Sequence, residues 1–190
     1  MIGYALCGSF CTLADSLAVL EKLVKEYDVL PIISENVRRF DTRFGKSADI
    51  VSRAEALCGR ASICDITEAE PLGPSRPLDA MVIAPCTGNT MAKLACGITD
   101  TVVTMAAKAH MRTSRPLLIA LASNDAISAN LANLSRLIMR KGVYFVPMIQ
   151  DDPVNKPYSL VADMGVIPTA LEKARMGVQM RPVFLEKRAY

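Results

Sequence analysis

The sequence contains no tryptophan, a single histidine and few other aromatic residues. It lacks any apolar run approaching the roughly 20 residues that a membrane-spanning helix requires. Its first residues hold no basic segment ahead of an apolar stretch, which a secretory signal would need. These absences predict a cytoplasmic protein that has no contact with a membrane.

An excess of one charge is also missing, since 22 lysines and arginines stand against 19 aspartates and glutamates. A nucleic-acid-binding domain typically concentrates a strong basic excess on one face, so no nucleic-acid partner is expected. Hydrophobic residues make up 51% of the 190 residues. A chain of this length buries about 70% of its unfolded surface and needs no disulfide or metal to fold.

Cysteines are present, but in a pattern that predicts free thiols. The six are Cys7, Cys11, Cys58, Cys64, Cys86 and Cys96. A cytoplasmic domain of this size has no need of disulfides. Cys7 and Cys11 match neither a CxxC redox pair nor a zinc half-site, and no histidine lies nearby to complete one. No metal site is expected.

Short apolar segments alternate with amphipathic ones along the chain. Strands are predicted at 2–7, 29–33, 63–66, 80–84, 117–122 and 143–147, and helices at 13–27, 47–58, after the strand at 80–84, and at 100–109, 127–140 and 168–177. This alternation predicts an α/β fold, a three-layer, doubly wound parallel sheet. The predicted division is one domain over residues 1–177 and a C-terminal tail over residues 178–190.

The most informative segment follows the predicted strand at Met81–Ala84. We expect Pro85 to end this strand, because proline cannot donate a hydrogen bond to the sheet. Five small or polar residues, Cys86 to Thr90, then lead into a helix. Backbone N–H groups at a helix N-terminus bind anions. The alternative is a plain strand-to-helix turn with threonine or asparagine as N-cap, and the segment alone favours neither.

Small polar residues also follow three other predicted strands, as Gly8-Ser9, Ser34 and Ser123-Asn124. The carboxyl ends of parallel strands meet at one edge of a sheet, where ligands bind. A standard NAD site is not expected, because GxGxxG is absent and Ser34 stands where an acidic residue would hold the ribose. Hydroxyls, amides and N–H groups suit a phosphate with a polyol tail, such as FMN.

The residues from Ala84-Pro-Cys-Thr-Gly-Asn-Thr to Gly97-Ile-Thr-Asp100 carry a resemblance. They resemble the Pro-Ala-Ser-Ala-Asn-Thr signature and the following Gly-Ile-Ala-Asp helix of the homo-oligomeric flavin-containing cysteine decarboxylase superfamily. With Gly8-Ser9, the resemblance covers roughly residues 1–147. Within the superfamily, the strings at 7–12, 41–45 and 121–126 are most similar to the family of dipicolinate synthase B subunits.

This resemblance implies a flavodoxin-like or Rossmann-like flavoprotein with FMN as cofactor, assembled as a trimer or a multiple of trimers. It implies an oxidoreductase subunit that acts with the synthase's A subunit in sporulation. The reaction would oxidise dihydro- or tetrahydrodipicolinate to dipicolinate, pyridine-2,6-dicarboxylate. The expected cofactor-binding residues are Gly8, Ser9, Ser34, Pro85, Thr87, Asn89, Thr90 and Ser123.

Two departures from the superfamily pattern count against decarboxylation. The decarboxylases use a histidine where this chain reads Ile63-Cys-Asp-Ile66, and their Pro-Ala-Met-Asn signature is here Leu121-Ala-Ser-Asn124. His110 lies elsewhere, and we expect it to be a solvated residue at a helix end. The alternatives that stay open are a flavin-dependent decarboxylase, a flavin prenyltransferase, and a non-catalytic subunit that supports an NAD(P)-dependent partner.

Recognition of a dicarboxylate substrate would need cations, and Arg38, Arg39 and Arg43 are the best candidates. A guanidinium group meets a carboxylate in bidentate geometry. Arg43 is favoured because it lies in the family-like string at 41–45, and Arg43 and Asn124 are the predicted catalytic residues. Cys86 lies beside the expected cofactor but has no visible base to activate it as a nucleophile.

Overall fold

The computed structural model describes residues 1–186. Its core is a parallel sheet whose strands lie in the order β2-β1-β3-β4, with β5 beside β4. The strands are β1 (Ile2–Leu6), β2 (Val29–Ile33), β3 (Ala80–Cys86), β4 (Leu117–Ser123) and β5 (Val143–Phe145). The strands β1, β2 and β3 are buried along their whole length, as continuous apolar strands are when helices cover both faces of a sheet.

Helices cover both faces of this sheet. One apolar layer packs under α1 (Leu13–Leu23), α2 (Glu35–Arg39), α3 (Ser47–Cys58) and α8 (Ile167–Arg175), and the other under α4 (Ile66–Ala69), α5 (Gly88–Cys96), α6 (Val102–Met111) and α7 (Leu131–Ile138). The predicted three-layer, doubly wound α/β fold is therefore confirmed. Among the helices described, none is long and apolar enough to cross a membrane.

Pro85 does not end its strand, contrary to the prediction. The strand β3 continues to Cys86, with a register shift against β4 between Ile83 and Cys86. Proline is tolerated in a strand at such an irregularity, because the missing N–H has no ladder partner there. The Pro85 carbonyl still accepts a hydrogen bond of 3.2 Å from the Cys7 N–H, which ties β3 to the end of β1.

The strand predicted at 63–66 is also wrong. Ile63 makes only an isolated bridge to Ile32. Helix α4 begins at Ile66, and the Asp65 carboxylate caps it by accepting a hydrogen bond of 2.8 Å from the Thr67 N–H. Capping at Asp65 therefore ends the extended segment after one bridge.

Two predicted helices are several residues longer than the helices in the structure. Helix α1 ends at Leu23, and α7 covers only residues 131–138 of the predicted 127–140. Thr12, at the N-cap position of α1, makes no capping hydrogen bond, since its hydroxyl donates instead to the Ser9 carbonyl at 2.9 Å. Local side-chain hydrogen bonds of this kind compete with the helix for the same groups.

The sequence predicted no strand after 143–147, which corresponds to β5, but three short strands follow it. They are β6 (Met148–Ile149), β7 (Leu160–Ala162) and β8 (Phe184–Leu185). Strand β7 pairs antiparallel with the carboxyl end of β4, and β6 pairs with β7 and β8. The loop at 150–159 therefore lies beside the end of β4. Strand β8 falls in the segment predicted as a tail, and the domain boundary at residue 177 stays a prediction.

His110 is fully buried in α6, so the expectation of a solvated histidine is wrong. Its Nε2 lies 2.9 Å from the Pro116 carbonyl oxygen, and its Nδ1 has no hydrogen-bond partner among the described residues. Burial lowers the pKa of His110, although the contact with Pro116 opposes this effect. Pro116 immediately precedes β4, which places His110 at the amino edge of the sheet.

Acid should destabilise the protein through His110. The lowered pKa means that unfolding lets the ring take up a proton near its ordinary value of 6.5. The free energy of unfolding is therefore unaffected above this pH and falls below it. At about pH 5.5 the loss is at most about 1.4 kcal/mol. Urea unfolding at about pH 7.5 and 5.5 should show a loss smaller by about 1 kcal/mol in His110→Gln than in the wild type. Equal losses in both proteins would contradict this assignment.

Candidate functional site

A cleft of about 460 Å³ opens at the carboxyl edge of the sheet. Three strand ends contribute to it, with Gly8 and Ser9 after β1, Thr87 and Gly88 after β3, and Ser123 and Asn124 at the end of β4. In a sheet of order 2-1-3-4-5 the winding reverses between β1 and β3, and ligands bind at that point. A neighbouring groove of about 480 Å³ beside α1 is lined mainly by apolar side chains and lacks this convergence.

Five of the predicted site residues line this cleft together: Gly8, Ser9, Thr87, Ser123 and Asn124. The other five, Ser34, Pro85, Asn89, Thr90 and Arg43, lie outside its lining. Pro85 is buried within β3, and Asn89 is exposed on the first turn of α5. The roles predicted for all ten residues therefore stay predictions.

The turn into α5 has a threonine N-cap, which is one of the two alternatives left open by the sequence, and anion binding there stays a prediction. Thr87 is the N-cap, and its hydroxyl oxygen accepts a hydrogen bond of 3.1 Å from the Thr90 N–H. The Thr90 hydroxyl points back toward β1, with its oxygen 3.5 Å from the Cys7 sulfur. A single cap leaves other N–H groups of the first turn without intrahelical partners. The amino end of α5 thus supplies N–H groups at the wall of the cleft.

Ser34 carries a buried hydroxyl with no hydrogen-bond partner among residues 1–186. Its backbone N–H donates to the Leu6 carbonyl at 3.0 Å, which places it beside the end of β1. An unpartnered buried hydroxyl costs about 1–3 kcal/mol. A polyol or phosphate group bound next to Gly8 would supply the missing partner.

Sequence reasoning missed a hydrogen-bonded cluster of four side chains beside the cleft, which we call the Asp125 network. Ser123 Oγ donates to one oxygen of Asp125, and Asn130 Nδ2 donates to the other at 2.9 Å. Asn133 Nδ2 in turn donates to Asn130 Oδ1 at 2.9 Å. Each oxygen of the Asp125 carboxylate therefore accepts a hydrogen bond from a neutral side chain.

Gly88 packs directly against the Asp125 network. A Cβ at this position would overlap Ser123 Oγ and would lie 2.8 Å from Asp125 Oδ1 and 2.9 Å from Asn130 Nδ2. Real Cβ atoms do not approach other atoms so closely, and these atoms are held by one another. Glycine is therefore required where α5 meets the end of β4.

A hairpin at residues 41–45 borders the cleft. Thr42 and Gly45 exchange two backbone hydrogen bonds of 3.0 and 3.1 Å, and Asp41 accepts from the Ser47 N–H at 2.8 Å. Phe44 lines the cleft with half of its surface exposed. The Arg43 guanidinium lies 4.8 Å from the centroid of the Phe44 ring. Arg43 therefore lies at the rim of the cleft rather than inside it.

The loop at 150–159 brings charge to the lining of the cleft. Lys156 Nζ lies 2.9 Å from Asp151 Oδ2, and this hydrogen bond raises the pKa of Lys156. The thiols behind the cleft are neutral, since burial raises the pKa of Cys7 to about 11 and that of Cys86 well above its usual value. A protonated thiol is a poor nucleophile, which agrees with the absence of a base beside Cys86 in the sequence.

Comparison with known proteins finds similarity along most of the chain. The model of a family described as Flavoprotein matches residues 1–172. The B subunit of dipicolinate synthase from Bacillus subtilis (strain 168) is 47% identical over 186 residues, which cover 97% of this chain and 93% of that protein. The crystal structure of the corresponding B subunit from Bacillus halodurans is 40% identical, with a TM-score of 0.90 and coverage of 98% of this chain and 96% of that one.

A more distant solved structure, the FMN-dependent cysteine decarboxylase SpaF, is 23% identical, with a TM-score of 0.66 and coverage of 91% of this chain and 95% of that one. Identity this low shows a shared fold and nothing further. The fold predicted from the sequence is thus the fold of solved flavoprotein structures.

Substitution of Gly88 tests the packing between α5 and the Asp125 network. We expect Gly88→Ala to lower the free energy of unfolding by about 2 kcal/mol, because the added methyl group displaces hydrogen-bonded polar atoms. Gly165→Ala is a matched control, since its Cβ would meet only the Asp163 side chain, at 3.2 Å. Denaturant unfolding should show a change within about 0.5 kcal/mol for the control. A similar effect of both substitutions would refute the packing argument.

Proposed function

This chain belongs to the flavoprotein family, and from that premise we propose that it is the FMN-binding subunit of a dipicolinate synthase. The predicted resemblance to the B subunits of this enzyme is confirmed by similarity that spans nearly the whole of both chains. The observation that carries the proposal is the convergence of three polar strand ends on one cleft at the β1–β3 switch point.

The residues at this edge fit FMN. Backbone N–H groups and hydroxyls come from Gly8, Ser9 and Thr87, and Ser34 adds a buried hydroxyl that has no partner within residues 1–186. Ser123 lines the same cleft with its hydroxyl bonded to Asp125. The first turn of α5 contributes Asn89 and Thr90 beside the cleft, and Pro85 lies in β3 just before this turn. These predicted contacts include no lysine or arginine, so the phosphate would be held by hydrogen bonds and by the amino end of α5.

The bound flavin would supply a hydride acceptor, and the protein would bind and orient the substrate beside it. The substrate in this proposal is a dihydro- or tetrahydrodipicolinate, which is oxidised to dipicolinate. Arg43 at the rim would hold a carboxylate, and the exposed Asn124 would supply an amide at the edge of the cleft. The Phe44 ring beside Arg43 offers an apolar face to the substrate ring.

Decarboxylation is not part of the proposal. The chain's single histidine, His110, is buried against Pro116 at the opposite edge of the sheet. Asp65, which stands in the region where the decarboxylases have their histidine, caps α4. Both residues are thus engaged in the fold, away from the cleft.

The proposed partners are the A subunit of the synthase and further copies of this chain, in a trimer or a multiple of trimers. An assay of each subunit alone and of the two together tests the division of labour. Oxidation only in the mixture, with FMN reduced during turnover, supports a catalytic flavoprotein subunit. Full activity of the A subunit alone would leave this chain a supporting role.

Ser34 offers a specific test of FMN binding. We expect Ser34→Ala to weaken FMN binding about fivefold to tenfold, because one hydrogen bond to the ligand is lost. Stability without FMN should stay the same or rise, since the substitution removes a buried hydroxyl that finds no partner in the described part of the chain. Quenching of FMN fluorescence and thermal unfolding measure the two effects.

The control for this test is Ser52→Ala, which changes an exposed serine on α3. It should alter neither FMN affinity nor stability. Unchanged affinity in Ser34→Ala would remove Ser34 from the site. Absence of FMN binding to the wild-type chain, alone and with the A subunit, would refute the cofactor proposal.

Arg43 tests the recognition of the dicarboxylate. We expect Arg43→Met to weaken dipicolinate binding to the FMN-loaded chain about fivefold to tenfold, because a charge-assisted hydrogen bond at an exposed site is lost. The control Arg39→Met removes a neighbouring arginine that also stacks on a phenylalanine but pairs with Glu35 at 2.8 Å. Equal effects of the two substitutions on the flavin absorbance titration would indicate general charge rather than a carboxylate contact.

A further inference from the structure

We propose that Lys156 binds one carboxylate of the substrate in place of Asp151 and that, together with Arg43, it selects a ring whose two carboxylates have the spacing of dipicolinate. The proposal rests on the proposed function, since it assumes that the cleft binds dipicolinate and its reduced precursors. It assigns a cation to the second carboxylate, because Arg43 accounts for only one. Both carboxylates are present in every reduced form of the ring and in the product, so this recognition does not depend on which ring bonds are reduced.

Lys156 is the only cation among the described residues that line the cleft. Arg43 reaches the rim of the same cleft from the hairpin at 41–45, where its guanidinium group stacks on the lining residue Phe44. The two cations thus come to one cleft from two different loops. Such an arrangement fits a ligand that carries two separate negative charges.

Backbone hydrogen bonds fix the position of Lys156 relative to the cleft. The Lys156 N–H donates to the Asp152 carbonyl at 2.8 Å, and the Ser159 N–H donates to the Lys156 carbonyl at 3.1 Å. Strand β7 then begins at Leu160, which pairs with Ser123 at the end of β4. The main chain of Lys156 is therefore held beside the end of β4, and its side chain carries the ammonium group to the cleft.

Asp151 is a partner that a ligand carboxylate can replace. Lys156 Nζ lies 2.9 Å from Asp151 Oδ2, and the two side chains are 50% and 31% exposed. Ion pairs between exposed side chains contribute little to stability, so the exchange of one carboxylate for another costs little. The hydrogen bond with Asp151 raises the pKa of Lys156, so the ammonium group is charged at neutral pH.

Two cations do what one cannot. A single contact holds one carboxylate and leaves the ring free to turn about it. Contacts on two loops fix the orientation of the ring as well, which is the requirement for placing a reacting carbon beside a cofactor. They also reject a ring whose second carboxylate points elsewhere, because its charge then meets no partner. Lys156 is in this sense a specificity-determining residue.

Two isomers of equal charge test the proposal without turnover. Pyridine-2,6-dicarboxylate has its carboxylates on either side of the ring nitrogen, whereas in pyridine-2,5-dicarboxylate they lie at opposite ends of the ring. Calorimetry with the FMN-saturated full chain, in buffer freed of divalent cations, should show about tenfold tighter binding of the 2,6 isomer. This ratio corresponds to one charge-assisted hydrogen bond gained. Because the isomers have the same charge, general electrostatic attraction cancels in the ratio.

Substitutions locate the cause of the preference. In Lys156→Met the two isomers should bind with nearly equal affinity, because each then makes a single contact with Arg43. Arg43→Met should also abolish the preference, and the double variant should lower the ratio no further, as expected for two residues that act together. A preference that survives either single substitution would overturn the proposal and leave the proposed function standing.

The control Lys46→Met removes an exposed cation that follows the hairpin at 41–45 and should keep the tenfold preference. The affinity for FMN is measured in the same proteins by fluorescence quenching and should be unchanged in Lys156→Met. A weaker affinity for FMN in this variant would assign Lys156 to the FMN phosphate and overturn the proposal. Equal binding of the isomers to the wild type would overturn it as well. If neither isomer binds to the FMN-loaded wild type, the substrate of the proposed function is overturned together with this inference.

Discussion

The close approach of Gly88 to the Asp125 network is the contact on which the site depends. It joins the first turn of α5, which follows β3, to the end of β4, which carries Ser123. Because Gly88 has no side chain, the first turn of α5 can approach the polar end of β4 closely. This contact places two walls of the cleft side by side, the start of α5 and the end of β4. Gly8 and Ser9 after β1 form the third wall.

The cleft relies on hydrogen bonds more than on ion pairs. Its lining carries the carboxylates of Asp125 and Asp151 and the ammonium group of Lys156, and Lys156 and Asp151 pair with each other. An anionic ligand would therefore be held by N–H groups, hydroxyls, the rim arginine and, where a ligand carboxylate replaces Asp151, Lys156. Such contacts are directional, so the orientation of each hydroxyl matters more than the net charge.

Most of the fold could be predicted because its signals are local. The strand Val29–Ile33 and the helix Ser47–Cys58 match their predicted bounds residue by residue, since a continuous apolar run and an amphipathic period define them. The strands β6, β7 and β8 are two or three residues long and show no period. The pairing of β7 with β4, and of β6 with β7 and β8, depends on contacts between distant segments, which no local pattern reveals.

The site was predictable to the same extent. Gly8, Thr87 and Ser123 could be grouped because parallel strands end at a common edge. The hydrogen bond from Asn130 to Asp125 joins two residues of one short segment. It faces the cleft region only because Gly88, far away in the chain, packs against it, and no local pattern shows that contact. Phe44 and Lys156 reach the cleft from loops whose course the sequence did not indicate.

A shared fold leaves the chemistry to a few side chains. This chain keeps the strand order and switch point of its fold, but Ser123 stands where the decarboxylase signature has methionine. A methionine there would offer no hydroxyl to Asp125, and the carboxylate would lose one of its two donors. Ser123 and Asp125 therefore form a unit, because the carboxylate orients the hydroxyl and the hydroxyl donates to one oxygen of the carboxylate. The departure that counts against decarboxylation is therefore the same residue that joins the end of β4 to the Asp125 network.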